Sequence, residues 1–345
     1  MKSKTITNLS YQIILFIYGS FLILSQDLNH NQQIIKLIDD PVSESLGIFI
    51  GDKLFTKYIY RDAYYKPILH PIYAVNQVDI TRGYPINPRP GERIDHPHQV
   101  GNWLSYGNVN GIDFWNNSDA ITDKSTYGSI EHLELEIDQE KGHLETKSRW
   151  VDNSGTVLLY EKSIYKFKQV GNARIIDRTT TLKATKLLSL EDNKEGFFGI
   201  RVRRELEHPS DTPLLFVDAN GLESTVPVLD NSGVSGNYFS SEGVRGIDVW
   251  GKRAKWVSLS GIVDDQTVSI TIFDHPENTG YPTYWHARGY GLFSANPLGQ
   301  AIFSEGLDKL NITLDKDSEI TFKFRVLIHN GKRLTPDQIS SFALF

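Results

Sequence analysis

The chain has 345 residues, enough for one large domain or two average ones, and it contains no cysteine, which excludes disulfides, thiolate metal sites and a cysteine nucleophile. Acidic residues outnumber basic ones by 42 to 36 and the formal net charge is −6. Because no basic run of the kind that follows phosphates is present, the composition indicates no nucleic-acid partner. A carbohydrate or another small molecule suits this surface better.

The first 25 residues have the pattern of a secretory signal. Lys2 and Lys4 precede an apolar run, Tyr11–Leu24, and Ser25 follows it. The run is about 14 residues long, shorter than the roughly 20 that a membrane-spanning helix needs. We therefore expect a cleavable signal peptide over residues 1–25, a polar leader over residues 26–46, and a periplasmic or secreted protein without a stable membrane span.

Alternating hydrophobicity after the leader predicts a single β-sandwich domain over residues 47–345. It is clearest in residues 318–328, where Ile320, Phe322 and Phe324 share one side of an extended chain. Thr335 and Pro336 have the pattern of a helix N-terminus, which predicts a short C-terminal helix. Further strands are predicted over residues 130–137, 143–150, 156–167, 173–183, 256–262 and 267–273.

Strands this long favour two large stacked antiparallel sheets, because small barrels and immunoglobulin sandwiches use shorter ones. The three long strands over residues 145–185 resemble the supersandwich of aldose epimerases, a galactose mutarotase-like fold. Residues 208–240 are rich in Pro, Gly, Ser and Asp, and they predict an excursion with long loops over one face.

Residues 84–117 place titratable and aromatic side chains on a loop stiffened by proline. His96 and His98 lie two positions apart, so their rings can converge on one ligand atom if the chain is extended. A divalent metal there would need a third ligand, which His132 or a nearby carboxylate could supply. Alternatively, His98 and His132 are hydrogen-bonded structural imidazoles. Substrate-binding candidates in and near this region are His70, Arg93, Gln99, Trp103, Asp113 and Trp115.

Two further clusters could contribute to the same site. Glu195, Arg201 and Glu205 fall on or near a predicted strand, where they are either a solvated ion-pair face or, if they line a concave sheet, a proton-exchanging carboxylate and an arginine clamp. The second cluster lies in a segment that is interrupted by Pro and Gly. Aromatic faces beside hydrogen-bonding groups typically form a surface on which a sugar ring stacks. The candidates in this cluster are Tyr284, Trp285, His286 and Arg288. We expect it to meet the His96 loop over one sheet face.

Several motif-based chemistries find no support in the chain. It contains no Gly-rich phosphate loop before a helix, no G-x-S-x-G motif and no HExxH motif. Dinucleotide binding and hydrolysis by a serine nucleophile are therefore not indicated.

The runs HPIYAVNQVDITRG, DHPHQVGNW and TYWHARGYGLF resemble the bacterial PmoA-like family ("methane oxygenase PmoA"), a family of unknown function, over nearly the whole chain from residue 48. That family usually has DHPHH where this chain has Gln99 in the last position. Methane oxidation does not follow, because the membrane subunit of particulate methane monooxygenase has several transmembrane helices. The resemblance implies an exported protein of polysaccharide-consuming bacteria.

These observations favour an exported carbohydrate-active enzyme, a hydrolase, lyase or epimerase that uses histidine and carboxylate acid-base chemistry. Its catalytic candidates are His96, His98, His132, Glu195, Arg201, Glu205, His286 and Arg288. The alternatives are a non-catalytic carbohydrate-binding module and a component of a glycan-uptake system.

Overall fold

The structure is a computed structural model that describes residues 34–345. The predicted signal peptide and the first part of the predicted leader lie outside these residues. The strands of the first half are β1 (Ile35–Asp40), β2 (Ser45–Ile50), β3 (Lys53–Ile59), β4 (Ile68–Ile72), β5 (Asn102–Tyr106), β6 (Gly128–Asp138), β7 (His143–Asp152), β8 (Val157–Val170) and β9 (Ala173–Ala184). Those of the second half are β10 (Leu188–Leu190), β11 (Gly196–Arg201), β12 (Asn237–Ser240), β13 (Trp256–Val263), β14 (Gln266–Asp274), β15 (Tyr284–Ala287), β16 (Leu292–Asn296), β17 (Ile312–Leu314) and β18 (Glu319–Asn330).

These strands form two eight-stranded antiparallel sheets and a small two-stranded one. The first sheet has the order β1-β2-β3-β4-β5-β11-β16-β15, the second β12-β13-β14-β18-β9-β8-β7-β6, and β10 pairs with β17. The α-helical residues of the described part form α1 (Gln300–Phe303) and α2 (Pro336–Ser341), and none of these helices is long and apolar enough to span a membrane. The predicted all-β sandwich with a short C-terminal helix is confirmed.

Two predicted segments differ from the structure. Residues 35–40, expected in the polar leader, form the edge strand β1, which pairs with β2 along its whole length. Residues 237–240, expected in the excursion, form β12 at the edge of the second sheet, because Tyr238 and its neighbours pair with β13. Backbone pairing decides both cases, and it is invisible in a polar or Gly-rich sequence.

Alternating side chains of both sheets fill the space between them. Phe322 and Phe324 of β18 are fully buried there, as the alternation predicts. The ring of Phe197 lies 4.5 Å from that of Phe322, and Phe198 stacks on Phe324 at 4.8 Å. The same layer holds a group of buried polar side chains around Glu161, which we call the interior network.

The interior network satisfies its own hydrogen bonds. Glu161 Oε1 accepts from Arg178 at 2.8 Å and from Ser163 at 2.6 Å, and its Oε2 accepts from Trp150 Nε1 at 2.9 Å. Arg178 Nε donates to the hydroxyl of Thr180 at 2.9 Å. A buried charge is tolerated in a core when it is paired in this way.

The outer face of the first sheet carries a cross-strand row of four residues from β5, β11, β16 and β15. In the register, Trp103 pairs with Gly199, Gly199 with Ser294, and Ser294 with His286. Paired residues of neighbouring strands point to the same face. The row therefore brings Trp103 and His286, 183 positions apart in sequence, onto one surface that faces away from the core.

Candidate functional site

Two buried arginines anchor the loop that contains the two predicted histidines. Arg201 of β11 donates to Asp95 Oδ1 and to Gln99 Oε1, both at 2.6 Å. Arg82 donates to the same Oδ1 at 2.9 Å and to the carbonyl oxygens of His96 and Gln99, also at 2.9 Å. The loop is therefore fixed on the outer face of the first sheet, and Asp95 is its central acceptor.

Asp95 stays ionised and faces a histidine. Burial by itself raises the pKa of its carboxyl, but Arg201, His96 and Arg82 outweigh burial and hold that pKa well below its usual range. Its Oδ2 lies 3.1 Å from Nδ1 of His96. This is an ion-pair distance without hydrogen-bond geometry, and the negative charge beside Nδ1 favours the tautomer that carries its proton there, which leaves Nε2 to act on a ligand.

His96 is held in an unusual conformation. Its φ of 45° lies in the left-handed region that favours glycine. The backbone N–H of Gln99 donates to the His96 carbonyl at 3.0 Å, and the ring stacks on Tyr290 at 4.9 Å with an interplanar angle of 6°. Nδ1 is buried while 40% of the side chain is exposed, so the outer edge of the ring meets solvent. Such strained positions concentrate at functional sites.

His98 packs its ring edge-on against His96, with 5.6 Å between centroids. It is buried, and its Nε2 has no hydrogen-bond partner among the described residues. Burial, followed by the charges of Lys66 and His96, lowers the pKa of His98 well below its usual value. The ring is therefore a neutral imidazole at neutral pH, with one nitrogen available to a ligand.

Lys66 belongs to this site, although it was not among the residues predicted from the sequence. Its Nζ is buried without a hydrogen-bond partner in residues 34–345 and lies 5.8 Å from the centre of the Trp103 ring. Burial lowers the pKa of Lys66 to about 7, and the charge of Asp113 partly opposes the shift. A lone lysine in YYKPIL carries no motif, so only the fold reveals its burial.

Trp103 and Trp115 form a closed pair beside Lys66. Their rings lie 5.0 Å apart and both side chains are fully buried, packed with Ile68 and Leu292. A Cβ at Gly199 would lie 3.1 Å from the first indole and 3.2 Å from the second. Because their faces are covered, no sugar can stack on them in this conformation, and only their unpartnered Nε1 atoms remain for a ligand.

The second predicted segment reaches the same surface through β15. His286 is buried, its Nε2 accepts from Arg288 Nε at 3.3 Å, and its Nδ1 has no partner among the described residues. Burial, then the charges of Arg288 and Lys194, lowers the pKa of His286 to about 3. Tyr290, in the turn after β15, stacks on His96 and lies 4.9 Å below the Arg201 guanidinium. The two segments thus meet at Tyr290.

The structure places His132 in the other sheet. It lies on β6, where its ring contacts Tyr60 at 4.3 Å and its Nδ1 is 3.3 Å from the Tyr58 hydroxyl. The set His96, His98 and His132 is therefore not assembled, because the strand carrying His132 is at the far edge of the second sheet. In residues 34–345 no group of three or more His, Asp or Glu side chains is arranged to hold a metal ion.

The two candidate carboxylates form local ion pairs. Glu205 is held by Arg203 through two hydrogen bonds, 2.5 and 2.7 Å long, and Arg203 lowers the pKa of Glu205 against the opposing effect of burial. Glu195 pairs with the neighbouring Lys194 at the start of β11. Asp95, which was not among the catalytic candidates, is the carboxylate that lies beside His96.

Trp285 and Tyr284 have their polar atoms bonded away from the histidines. Trp285 points into the core, where its Nε1 donates to the Ala254 carbonyl at 3.0 Å. Tyr284 donates its hydroxyl to Asp308 at 2.9 Å. Strand alternation explains why Trp285 points away from His286, whereas Tyr284 shares the face of His286, and both rings lie against Phe303.

Among the remaining substrate-binding candidates, Arg93 and Asp113 have structural contacts, whereas Nδ1 of His70 has no partner among the described residues. His70 is buried on the outer face of β4, and burial lowers its pKa to about 4. Arg93 pairs with buried Glu207 at 2.6 Å. Asp113 accepts from the backbone N–H of Trp115 at 2.8 Å and so shapes the turn that places this indole.

Residues 45–343 match the model of a family of unknown function, DUF6807, and the chain belongs to that family. The expected membership of the PmoA-like family is wrong, because the matching model is the DUF6807 one. No curated protein matches the chain.

Three solved structures illustrate its similarities. The galactosidase domain of the alpha-galactosidase-sucrose kinase AgaSK has 7% identity and a TM-score of 0.39, over 86% of this chain and 42% of that one. A polysaccharide lyase has 11% identity and a TM-score of 0.35, over 92% of this chain and 35% of that one. The chain thus spans less than half the length of these two. A galactose mutarotase related enzyme from Lactobacillus acidophilus has 9% identity and a TM-score of 0.30, over 86% and 97%.

Proposed function

We propose that this protein is an exported enzyme that acts on a sugar or oligosaccharide by acid-base chemistry, with His96 as the proton-exchanging group. The observation that carries the proposal is the contact between Asp95 and Nδ1 of His96, 3.1 Å long, on an outer sheet face. The negative charge beside Nδ1 favours a proton on that nitrogen, although the contact lacks hydrogen-bond geometry, so that Nε2 can accept a proton from a ligand and later return it.

Unpartnered buried atoms around His96 support a ligand with many hydroxyl groups. Nε2 of His98, Nδ1 of His286 and Nζ of Lys66 all lack partners among the described residues. Buried polar atoms are nearly always hydrogen-bonded in a finished protein structure, so a cluster of exceptions marks a place where a ligand or water completes the set. Sugar hydroxyls both donate and accept, which suits neutral imidazoles and amines.

Acid-base chemistry on a sugar also needs a group that stabilises developing negative charge, and the Arg288 guanidinium can supply it. Arg288 donates to His286 through Nε and lies 4.7 Å from the Trp250 ring, and it forms no salt bridge within residues 34–345. An unneutralised, partly buried guanidinium stabilises negative charge that develops on oxygen during proton abstraction or bond cleavage. Hydrolysis, elimination and epimerisation all share this requirement.

The direct test is a screen of the purified protein against oligosaccharides and oxidised sugars, with EDTA and with added divalent metal, in which turnover and binding are both recorded. We expect turnover of at least one substrate, loss of turnover with retained binding in His96→Asn, and weaker binding in His98→Ala and His286→Ala, whose ring nitrogens contact the ligand. His143→Ala, on β7 of the other sheet, is the matched control and should retain full activity. Tight binding without turnover, unaffected by these substitutions, would instead identify a carbohydrate-binding module.

Export is the second part of the proposal and rests on Lys2, Lys4 and the apolar run Tyr11–Leu24. N-terminal sequencing of the protein made by its native host should give a mature chain that starts after about residue 25. A chain that still begins at Met1 in the membrane fraction would contradict it.

A further inference from the structure

The outer face of the second sheet contains a cavity of about 180 Å³ near α2. A cross-strand row forms its floor, since the register pairs Asn237 with Ser260, Ser260 with Ser269, and Ser269 with His329. The alternate residues of these strands point into the core, so this row faces the opposite way. The cavity therefore lies on the far side of the sandwich from the His96 site.

The floor is polar, and it runs from exposed Asn237 to side chains that are sheltered from solvent. Ser258 is 6% exposed, Ser269 6% and Thr271 2%, and the hydroxyl of Thr271 donates to that of Ser258 at 2.9 Å. Nδ1 of His329 is buried without a partner among the described residues. A purely structural strand face would also pair the His329 nitrogen, so this atom is left for a ligand or water. About 180 Å³ corresponds to roughly six water molecules, enough for one sugar ring.

The rim of the cavity is positively charged. Arg245 and Arg333 line it, and no Asp or Glu does. Arg245 lies 4.6 Å from the Phe239 ring, and neither arginine forms a salt bridge in the part of the chain that the structure describes. The whole chain has a net charge of −6, whereas this cavity has two guanidinium groups without an acidic partner and is therefore locally positive. Guanidinium groups bind carboxylate and sulfate oxygens through paired, charge-assisted hydrogen bonds.

We propose that this cavity is a second ligand site, which binds the acidic group of a small hydroxylated molecule such as a uronic acid. Arg245 and Arg333 hold the carboxylate or sulfate oxygens, and the row of Asn237, Ser260, Ser269 and His329 contacts the hydroxyl groups. The site does not depend on the proposed catalytic function, because no residue of the His96 site lines it.

The test is isothermal titration of the full purified protein at low ionic strength with D-glucuronate, D-glucose and sodium sulfate. We expect saturable binding of glucuronate with a Kd on the order of 1 mM or below, and none of glucose in that range. Arg245→Gln and Arg333→Gln should each weaken binding roughly tenfold, because each removes a charge-assisted pair. Lys332→Gln, which makes the same charge change beside the cavity without lining it, is the matched control and should bind like the wild type.

A variant that changes no charge tests whether binding needs the space inside the cavity or only its positive charge. Ser260→Val fills the floor with a residue that strands favour, and it should abolish binding while both arginines remain. Loss of binding in Ser260→Val is interpreted only if its melting temperature matches that of the wild type. If it does not, the two surface arginine variants decide the test. Sulfate that competes with glucuronate would identify the acidic group as the shared determinant. Equal binding of glucose, or binding insensitive to both arginines, would overturn the proposal.

Discussion

Two groups of buried polar side chains lie in different layers of this molecule, and they use their hydrogen-bonding atoms differently. In the interior network, Glu161 accepts from Arg178, Ser163 and Trp150, and every one of these bonds is 2.9 Å or shorter. On the outer face of the first sheet, the nitrogens of Lys66 and His98 have no partner in the described residues.

The comparison shows that burial of polar groups alone does not identify a site. The charges of the interior network are paired with each other, so this network needs no ligand to be stable. The outer cluster carries neutral bases and unpaired atoms, which cost stability unless something binds them. Whether the buried polar atoms have hydrogen-bond partners, rather than whether they are buried, separates the interior network from the candidate functional site.

The largest expected effect is on turnover in His96→Asn. Asparagine tolerates the positive φ at this position, so the fold should be kept while the proton-exchanging ring is lost. With a substrate identified by the screen, we expect kcat to fall roughly 10²–10⁴-fold, the usual contribution of a general acid or base. His143→Asn is the control, and kcat within twofold of the wild type in His96→Asn would show that His96 does not transfer the proton.

The interior network should respond in stability instead of turnover. Glu161→Ala leaves the Arg178 guanidinium buried without its partner, and we expect the free energy of unfolding to fall by about 3–5 kcal/mol in denaturant titrations. The double variant Glu161→Leu with Arg178→Met removes both charges and should recover most of that loss. A double variant as unstable as the single one would mean that the network stabilises the fold beyond charge pairing.

The sequence predicted the fold well because strand alternation is a local signal. Residues 320–328 show it over a whole strand, and β18 has the predicted inward face. The same signal failed for Ile35–Asp40 and for Asn237–Ser240, where backbone pairing with a neighbour, rather than side-chain pattern, makes the strand.

The candidate site was predicted only in part, because its members meet through cross-strand register. The DHPH motif marked His96 and His98 correctly as neighbours, and TYWHARGY marked a segment that reaches them through Tyr290. Lys66 and the carboxylate role of Asp95 required the distances that only folding creates. His132 was grouped with the other histidines by residue type alone, and the second sheet separates it from them.

Lys66→Met should reverse the usual sign of a core substitution. The pKa of Lys66 is about 7 in the folded protein against 10.5 when unfolded, so the unfolded state binds the extra proton between these values and stability of the wild type rises with pH. The variant should therefore be more stable by on the order of 5 kcal/mol at pH 6, and the gain should vanish near pH 10.5. Chemical denaturation across this range measures it.

Exposed Lys57→Met, on β3, is the control for Lys66→Met and should show no such gain. Ligand binding or turnover should fall in Lys66→Met in spite of its higher stability, since functional groups are commonly kept at a cost in stability. A stability difference that does not change with pH would contradict the buried, partly neutral amine.

The smallest effect concerns the closed indole pair. Gly199→Ala adds a Cβ 3.1 Å from Trp103 and 3.2 Å from Trp115, so the two rings must move by a few tenths of an ångström against a packed surface. We expect a loss of about 1 kcal/mol in the free energy of unfolding and a shift of tryptophan fluorescence, because overpacking in a buried layer is destabilising. Gly289→Ala, whose Cβ would meet nothing closer than 3.5 Å, is the matched control. If Gly199→Ala is as stable as this control, the outer face is loosely packed. Water could then reach the buried Nζ of Lys66 and Nε2 of His98, and their lack of a protein partner would no longer indicate a ligand site.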